Sequence, residues 1–436
     1  MTNKCFIKKA KGLVIGVSLL HLLTFSPLTA AAQVSKNVTV DAVGQLSQQI
    51  SNEEKFKISD LKISGPLNAA DIKLFQQIVN RTKANEKKGE CVVTSVDISE
   101  AVFTEGKTAI PTNTLPNGLF QGASKLTKVV LPAGITSLGK SCFEDCKSLT
   151  SVQIPESVTT LDDETFKDCE SLVSVSIPGS VTKLGDEVFE NCKSLTAIEI
   201  PEGVKTIGKQ AFNGCKSLNN INIKAKIDKI DNTAFKDCES LSAITLPESV
   251  KSIGTDAFRD CKSLANVELP EDCKEIGNSA FEDCQSLEKI DLTKVEKMGS
   301  NAFEECKSLQ TVNFDKLSKL GSGVFKNCVA LKIVTIEGGL DEIGSDTFQG
   351  CTSLDSISLP ATVKTIGNSA FEKCQSLGQI DLPSALTKIG SGAFEECTSL
   401  RQAASAASVA SLPASWAASA AALALSPSAS SASASS

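Results

Sequence analysis

Three residue types recur in this chain at spacings that could carry chemistry: cysteine, serine and adjacent carboxylates. A phenylalanine returns at 120, 143, 166, 189, 212, 235, 258, 281, 303, 325, 348, 371 and 394, and from 143 onward a cysteine follows three residues later, from Cys146 to Cys397. Serine stands two residues after that cysteine in eleven of twelve units, Ser148, Ser171 and Ser194 among them. Acids adjoin at Glu144/Asp145, Glu282/Asp283, Glu304/Glu305 and Glu395/Glu396. Thiols so spaced suggest a disulfide framework or a metal ladder, the serines a nucleophile, and the acids glycoside hydrolysis or calcium binding.

Each of these readings meets a physical objection. The one histidine, His21, lies in a segment that the mature chain is expected to lose, leaving no imidazole base, no His-liganded zinc and no Ser-His or Cys-His relay. The serines are therefore expected as turn hydroxyls that satisfy backbone groups. The acid positions hold Asn213/Gly214 or Gln349/Gly350 in other units, and a basic residue such as Lys147 often follows the cysteine. A solvated charged rim fits that pattern. Equivalent cysteines on stacked units would lie side by side with parallel side chains, whereas a disulfide needs Cβ atoms about 3.8 Å apart and turned toward each other. Buried free thiols are the expectation, with a few local bridges or a metal ladder as alternatives. Cys142 and Cys273 agree, since they replace Ala or Thr and Val or Ile of other units. No enzyme constellation and no cofactor-binding motif emerges.

The ends set the compartment. Residues 1–32 read as a secretory signal peptide: Lys4, Lys8, Lys9 and Lys11, an apolar stretch from Gly12 to Phe25, then Ala30-Ala31-Ala32 before Gln33. The apolar run is shorter than the about 20 residues that a membrane span needs. Cys5 precedes it and so cannot be a lipid-modified cleavage cysteine. Removing the segment takes away four lysines and no acids, moving the formal charge from −7 to −11. So acidic a chain lacks the basic footprint of nucleic-acid binding. No transmembrane span is expected in the mature chain. Residues 401–436 hold 15 Ala and 12 Ser and nothing charged after Arg401, and they are expected to be disordered. The repeat pattern stops in mid-strand at that point, which suggests a reading-frame shift.

Between the ends the Phe period governs. Its steps are 23 residues, except two of 22, from 281 to 303 and from 303 to 325. A leucine follows six residues after every such Phe, from Leu126 to Leu400. One unit shows the physics. Leu149, Val152 and Ile154 place two side chains of a short strand inward, and Pro155 ends it because it cannot donate to a continuing ladder. Four residues before the Phe stands glycine in ten of twelve units, with Asp162 and Asp231 as exceptions. This predicts a corner with φ above zero. One unit has too few apolar groups to close a core, so the units must stack. At a spacing of about 4.8 Å, thirteen coils give a strand row on the order of 58 Å long. The fold class expected is a strand-rich solenoid of the α/β type.

The unit at 241–261, LSAITLPESVKSIGTDAFRDC, resembles the BspA-like leucine-rich repeats of bacterial surface proteins in its strand, proline, Ile-Gly corner, Ala-Phe and Cys. The resemblance covers about 115–400. Lys224 and Glu337 replace the strand-ending proline, and the two shortened units also lack it. A parallel β-helix of another kind is the structural alternative. Upstream, Ile58, Leu61 and Ile63, then Val93, Val96 and Ile98, repeat the strand template at wider spacing. Asn68 and Asp71 can open a helix between them with Ile72, Phe75, Ile78 and Val79 on one face. The division expected is a signal peptide at 1–32, an N-terminal cap with one helix at 33–114, a solenoid of about 13 coils at 115–400 and a tail at 401–436.

Solenoids usually bind through the strand positions that point away from the core. Here these are Ser151/Gln153, Ser174/Ser176, Ala197/Glu199, Asn220/Asn222, Ala243/Thr245, Asn266/Glu268, Lys289/Asp291, Thr311/Asn313, Ile333/Thr335, Ser356/Ser358 and Gln379/Asp381. The face is small, polar and nearly flat, without the Trp, Tyr or Arg that supply most hot spots. The resemblance implies an adhesin that binds host extracellular proteins or cell surfaces through this concave row. A non-adhesive envelope scaffold that helps glycan capture, or an incomplete gene product, are the alternatives.

Overall fold

A computed structural model describes residues 34–80, 92–104, 112–400 and 402–403. The expected signal peptide and nearly all of the expected tail lie outside these residues, as do Cys5 and Cys91. The described residues open with strand β1 (Ser35–Thr39), the short helix α1 (Leu46–Gln49), β2 (Asp60–Leu67), helix α2 (Ala69–Val79) and β3 (Ser95–Phe103). Strands β1, β2 and β3 pair in parallel and pass directly onto Lys128–Val130 of the repeats. The expected helix is α2. Asn68 accepts hydrogen bonds from the N–H groups of Ala70 and Asp71, and the Asp71 carboxylate accepts one from the Asn68 N–H. The buried Asp71 carboxylate also takes the N–H groups of Gly44 and Leu46, so a single side chain fixes the starts of α1 and α2. Helix α1 had no signature in the sequence. Phe75, Ile78 and Val79 of α2 are buried, and the Phe75 ring meets the Phe120 ring edge-on at 5.5 Å.

Each later coil carries two parallel strands. The first is the expected one: Ser151–Gln153, Ser174–Ser176 and Ala197–Ile200 follow one another in register, with the middle residue buried and its neighbours exposed. The second was not foreseen. It consists of two residues per coil, as at Ser137–Leu138, Thr160–Leu161 and Lys183–Leu184, with the second one buried. The ladder also runs past Leu400: Gln402–Ala403 pairs with Gln379–Ile380, which corrects the expectation of disorder at those two residues. Backbone pairing of this kind needs no particular side chain.

The recurrent Phe residues form one continuous stack. Successive rings from Phe120 to Phe394 lie nearly parallel, with Phe143 and Phe166 at 5.2 Å and Phe235 and Phe258 at 5.4 Å. Burying such a side chain contributes about 2–3 kcal/mol, and the ring contact adds on the order of 1 kcal/mol.

The glycine expectation needs correction. No glycine four residues before a Phe has positive φ; the left-handed residues instead stand two before and two after it, as Glu164 (φ 59°) and Asp168 (φ 56°) do around Phe166. Glycine is required for closeness. A Cβ on Gly277 would lie 2.7 Å from backbone atoms of Gly254 and Thr255 in the preceding coil. The left-handed residues turn three N–H groups toward the next coil: Glu164, Phe166 and Asp168 donate to the carbonyls of Asp186, Val188 and Glu190 at 2.8–2.9 Å.

Two substitutions separate closeness from turning. Gly277→Ala must push backbone against backbone and is expected to lower stability by about 1–3 kcal/mol. Thr233, a β-branched residue at φ 54°, is expected to accept glycine neutrally or with a gain. Urea midpoints of the two variants check this, and a reversed order would refute the assignment.

Candidate binding face

The fourteen described cysteines are free thiols, all buried except Cys397, which is half-buried. The sequence missed their bonding role. In all twelve units the cysteine S–H donates to the carbonyl of the Phe one coil earlier, as Cys238 does to Phe212 at 3.3 Å and Cys397 to Phe371 at 3.0 Å. That carbonyl also accepts the N–H of the cysteine in its own coil, Cys215 in the case of Phe212. The shortened units keep the pattern, with Cys306 on Phe281 and Cys328 on Phe303. Burial pushes these thiols well above the usual thiol range, and to about 11 at Cys397. A thiol engaged and desolvated in this way is inert as a nucleophile or ligand.

The carboxylates at the rim are also engaged. Glu144 accepts from Gln121, Glu282 pairs with Arg259 at 2.8 Å, Glu305 with Lys307 at 3.0 Å, and Glu396 lies 3.8 Å from Lys373. Among the described residues no group of three His, Cys, Asp or Glu side chains could hold a metal ion. Ser148 donates to the carbonyl of Ser124, as a turn hydroxyl should.

What remains available is the strand face. Ser151, Gln153, Ser174, Ser176, Glu199, Asn220, Asn222, Thr245, Asn266, Glu268, Lys289, Asp291, Thr311, Asn313, Ser356, Ser358, Gln379 and Asp381 are exposed, and Thr335 is half-buried. All of them flank the buried strand centres, so one row gathers them. The sequence reading missed two of its features. The row continues across the N-terminal strands, where Lys62 pairs with Glu100 at 2.8 Å and lies 3.8 Å from Asp97; the parallel register of β2 and β3 carries it there. It also sinks into a hollow beside Lys289, which the two 22-residue steps and their missing prolines could have flagged. Elsewhere on the row Glu199 holds Lys224 at 2.8 Å and accepts from Asn222, and Asp381 accepts from Gln379 at 3.3 Å. No helix among the described residues is long and apolar enough to cross a membrane.

Two measurements follow. Native alkylation at pH 8 is expected to spare the buried cysteines and to reach half-buried Cys397 only slowly, whereas all fourteen described cysteines react after denaturation; thiols that stay blocked in denaturant without reductant would refute the free-thiol column. Glu372, beside Lys373, Gln349 and Ser369, is lowered from 4.5 to about 2. Its contribution is complete above about pH 4.5 and is lost as pH falls toward 2. Glu372→Gln is therefore expected to flatten the acid limb of the stability profile there, and an unchanged limb would count against the contact.

Comparison with known proteins accords with this geometry. The BspA type leucine-rich repeat region matches in six copies, over residues 113–242, 228–352 and 318–417. A leucine-rich repeat protein from Bacteroides ovatus is similar at 29% identity and a TM-score of 0.61, covering 71% of this chain and 86% of its own. One from Eubacterium ventriosum is 21% identical with a TM-score of 0.46, covering 86% and 91%. A leucine-rich cell surface protein from Faecalibacterium prausnitzii is 23% identical with a TM-score of 0.44, covering 86% and 89%. A search of curated proteins found no match. With the repeat matched over most of its length and its strand, Phe and Cys columns in place, this chain belongs to the BspA-type leucine-rich repeat family.

Proposed function

We propose that the chain is an exported, non-enzymatic binding protein of the cell surface, and that it acts as an adhesin by holding host extracellular proteins or other cells on its strand face. One observation carries the reading. The thiols are buried and bonded and the rim carboxylates are paired, whereas the strand row presents short polar side chains in register on coil after coil. Such a surface suits a partner with an extended polar outline, whose affinity comes from many modest contacts. Family membership supports the same role.

The full chain, tested against a panel of immobilised matrix and plasma proteins, is expected to bind at least one. A variant carrying Ser174→Glu, Asn220→Glu, Asn266→Glu and Thr311→Glu is expected to lose about tenfold or more in affinity while keeping its melting temperature, since all four positions are exposed. Binding that survives this variant would place the partner elsewhere, and failure to bind any host protein or cell would defeat adhesion.

A further inference from the structure

The strand row is not uniform. Across three successive coils, at Asn266–Glu268, Lys289–Ile290 and Thr311–Phe314, it sinks into an open hollow of about 700 Å³ with Val267, Ile290 and Leu292 among its lining. The two 22-residue steps fall here. Each lacks the strand-ending proline, with Thr293 and Asp315 standing in its place. Lys289–Ile290 pairs with the strand before it, and toward Thr311–Phe314 the Gln310 N–H bonds to the Glu288 carbonyl at 3.3 Å.

The polar groups around the hollow are unspent. The side chains of Asn266, Glu268, Lys289, Thr311 and Asn313 have no hydrogen-bond or ion-pair partner among the described residues. Carried two residues along from Asn266 opposite Lys289, the register sets Glu268 beside Asp291. Asp291 is held in place by the N–H and hydroxyl of Thr293, at 3.0 and 2.7 Å. Of the charged side chains that line the hollow one is a lysine and two are acids, the cation on one side and the anions on the other, with Lys294 acting on Asp291 from outside the lining.

We infer that this hollow seats a segment of a partner protein, which presents a Lys or Arg side chain to Glu268 and Asp291 and a carbonyl or carboxylate oxygen to Lys289. The inference rests on the proposed reading of the strand row as a protein-binding face. Two acids at matching positions of adjoining strands suit a cation placed between them, and Lys289 fixes which way the segment runs. The amides of Asn266 and Asn313 each offer a donor and an acceptor, the complement of a peptide group. The volume lies within the range of about 300–1,000 Å³ typical of binding pockets. Ile333, next in register beyond Thr311 and 46% exposed, offers an apolar contact beside the polar ones.

The test is to pan a random peptide library, displayed on phage, against the full chain, and to measure the enriched synthetic peptides by fluorescence anisotropy. Peptides carrying Lys or Arg are expected, with affinity falling about tenfold on Glu268→Lys/Asp291→Lys, because two ion pairs become two repulsions. The same peptides are expected to bind Ser151→Lys/Ser174→Lys, several coils away, unchanged. Circular dichroism and melting temperature check that both variants fold. Enriched peptides that ignore the reversal in the hollow but lose affinity at Ser151/Ser174 would overturn this inference and leave the strand face standing. Enrichment of nothing by the full chain would overturn both.

Discussion

The fold depends on hydrogen bonds that a coil cannot make alone. Left-handed residues on either side of the buried Phe residues from Phe120 to Phe371 turn three N–H groups out of their own coil, and the carbonyls of the next coil receive them. Buried donors left unpaired are costly, so one coil in isolation is penalised at the place where its largest apolar side chain sits. The cysteine ties the same pair of coils from the other direction, since its thiol reaches back to the carbonyl of the preceding Phe. Coils are thus laced forward by backbone amides and backward by sulfur, around a stack of aromatic rings.

Cysteine suits that place because it combines a small apolar body with a weak donor. Valine at Cys238 would fill the space but leave the Phe212 carbonyl with one bond fewer, and serine would bring a hydroxyl more expensive to desolvate. The consequence for function is subtractive. The residue type most suggestive of redox or metal chemistry is committed to architecture, and acids at the rim such as Glu144, Glu282, Glu305 and Glu396 are committed to basic or amide side chains of the same or an adjoining coil. The strand row is left as the surface on which the polar side chains are least engaged.

Much of this was legible in the sequence. The Phe–Cys–Leu spacing, the alternation around Val152 and Ile154 and the Asn68–Asp71 helix start each reflect a local rule that side chains obey wherever they stack. What escaped notice depends on relations between coils. Gly277 looked like a turning residue, because proximity to a preceding backbone leaves no mark on residue type different from that of a left-handed turn. Two-residue strands such as Lys183–Leu184 are too short to alternate. Gln402–Ala403 joins the ladder through backbone groups that composition does not reveal. Helix α1 owes its start to Asp71, 25 residues from Leu46. In the candidate site the exposed positions could be read one strand at a time, but the hollow arises where units of unequal length meet, and no single unit contains it.

The same lacing recurs at junctions one unit apart whether the step is 23 residues or 22, for Cys306 reaches Phe281 as Cys238 reaches Phe212. A junction therefore takes no account of which unit it joins. Excising or duplicating a whole unit re-creates an equivalent junction, whereas a frame slip between a Phe and its Cys breaks the bond on both sides at once. Chain length is thus an adjustable quantity in this architecture, set in increments of one coil. The stretch between strand and following corner, where the shortened units lost their residue, is where a fractional increment has been absorbed.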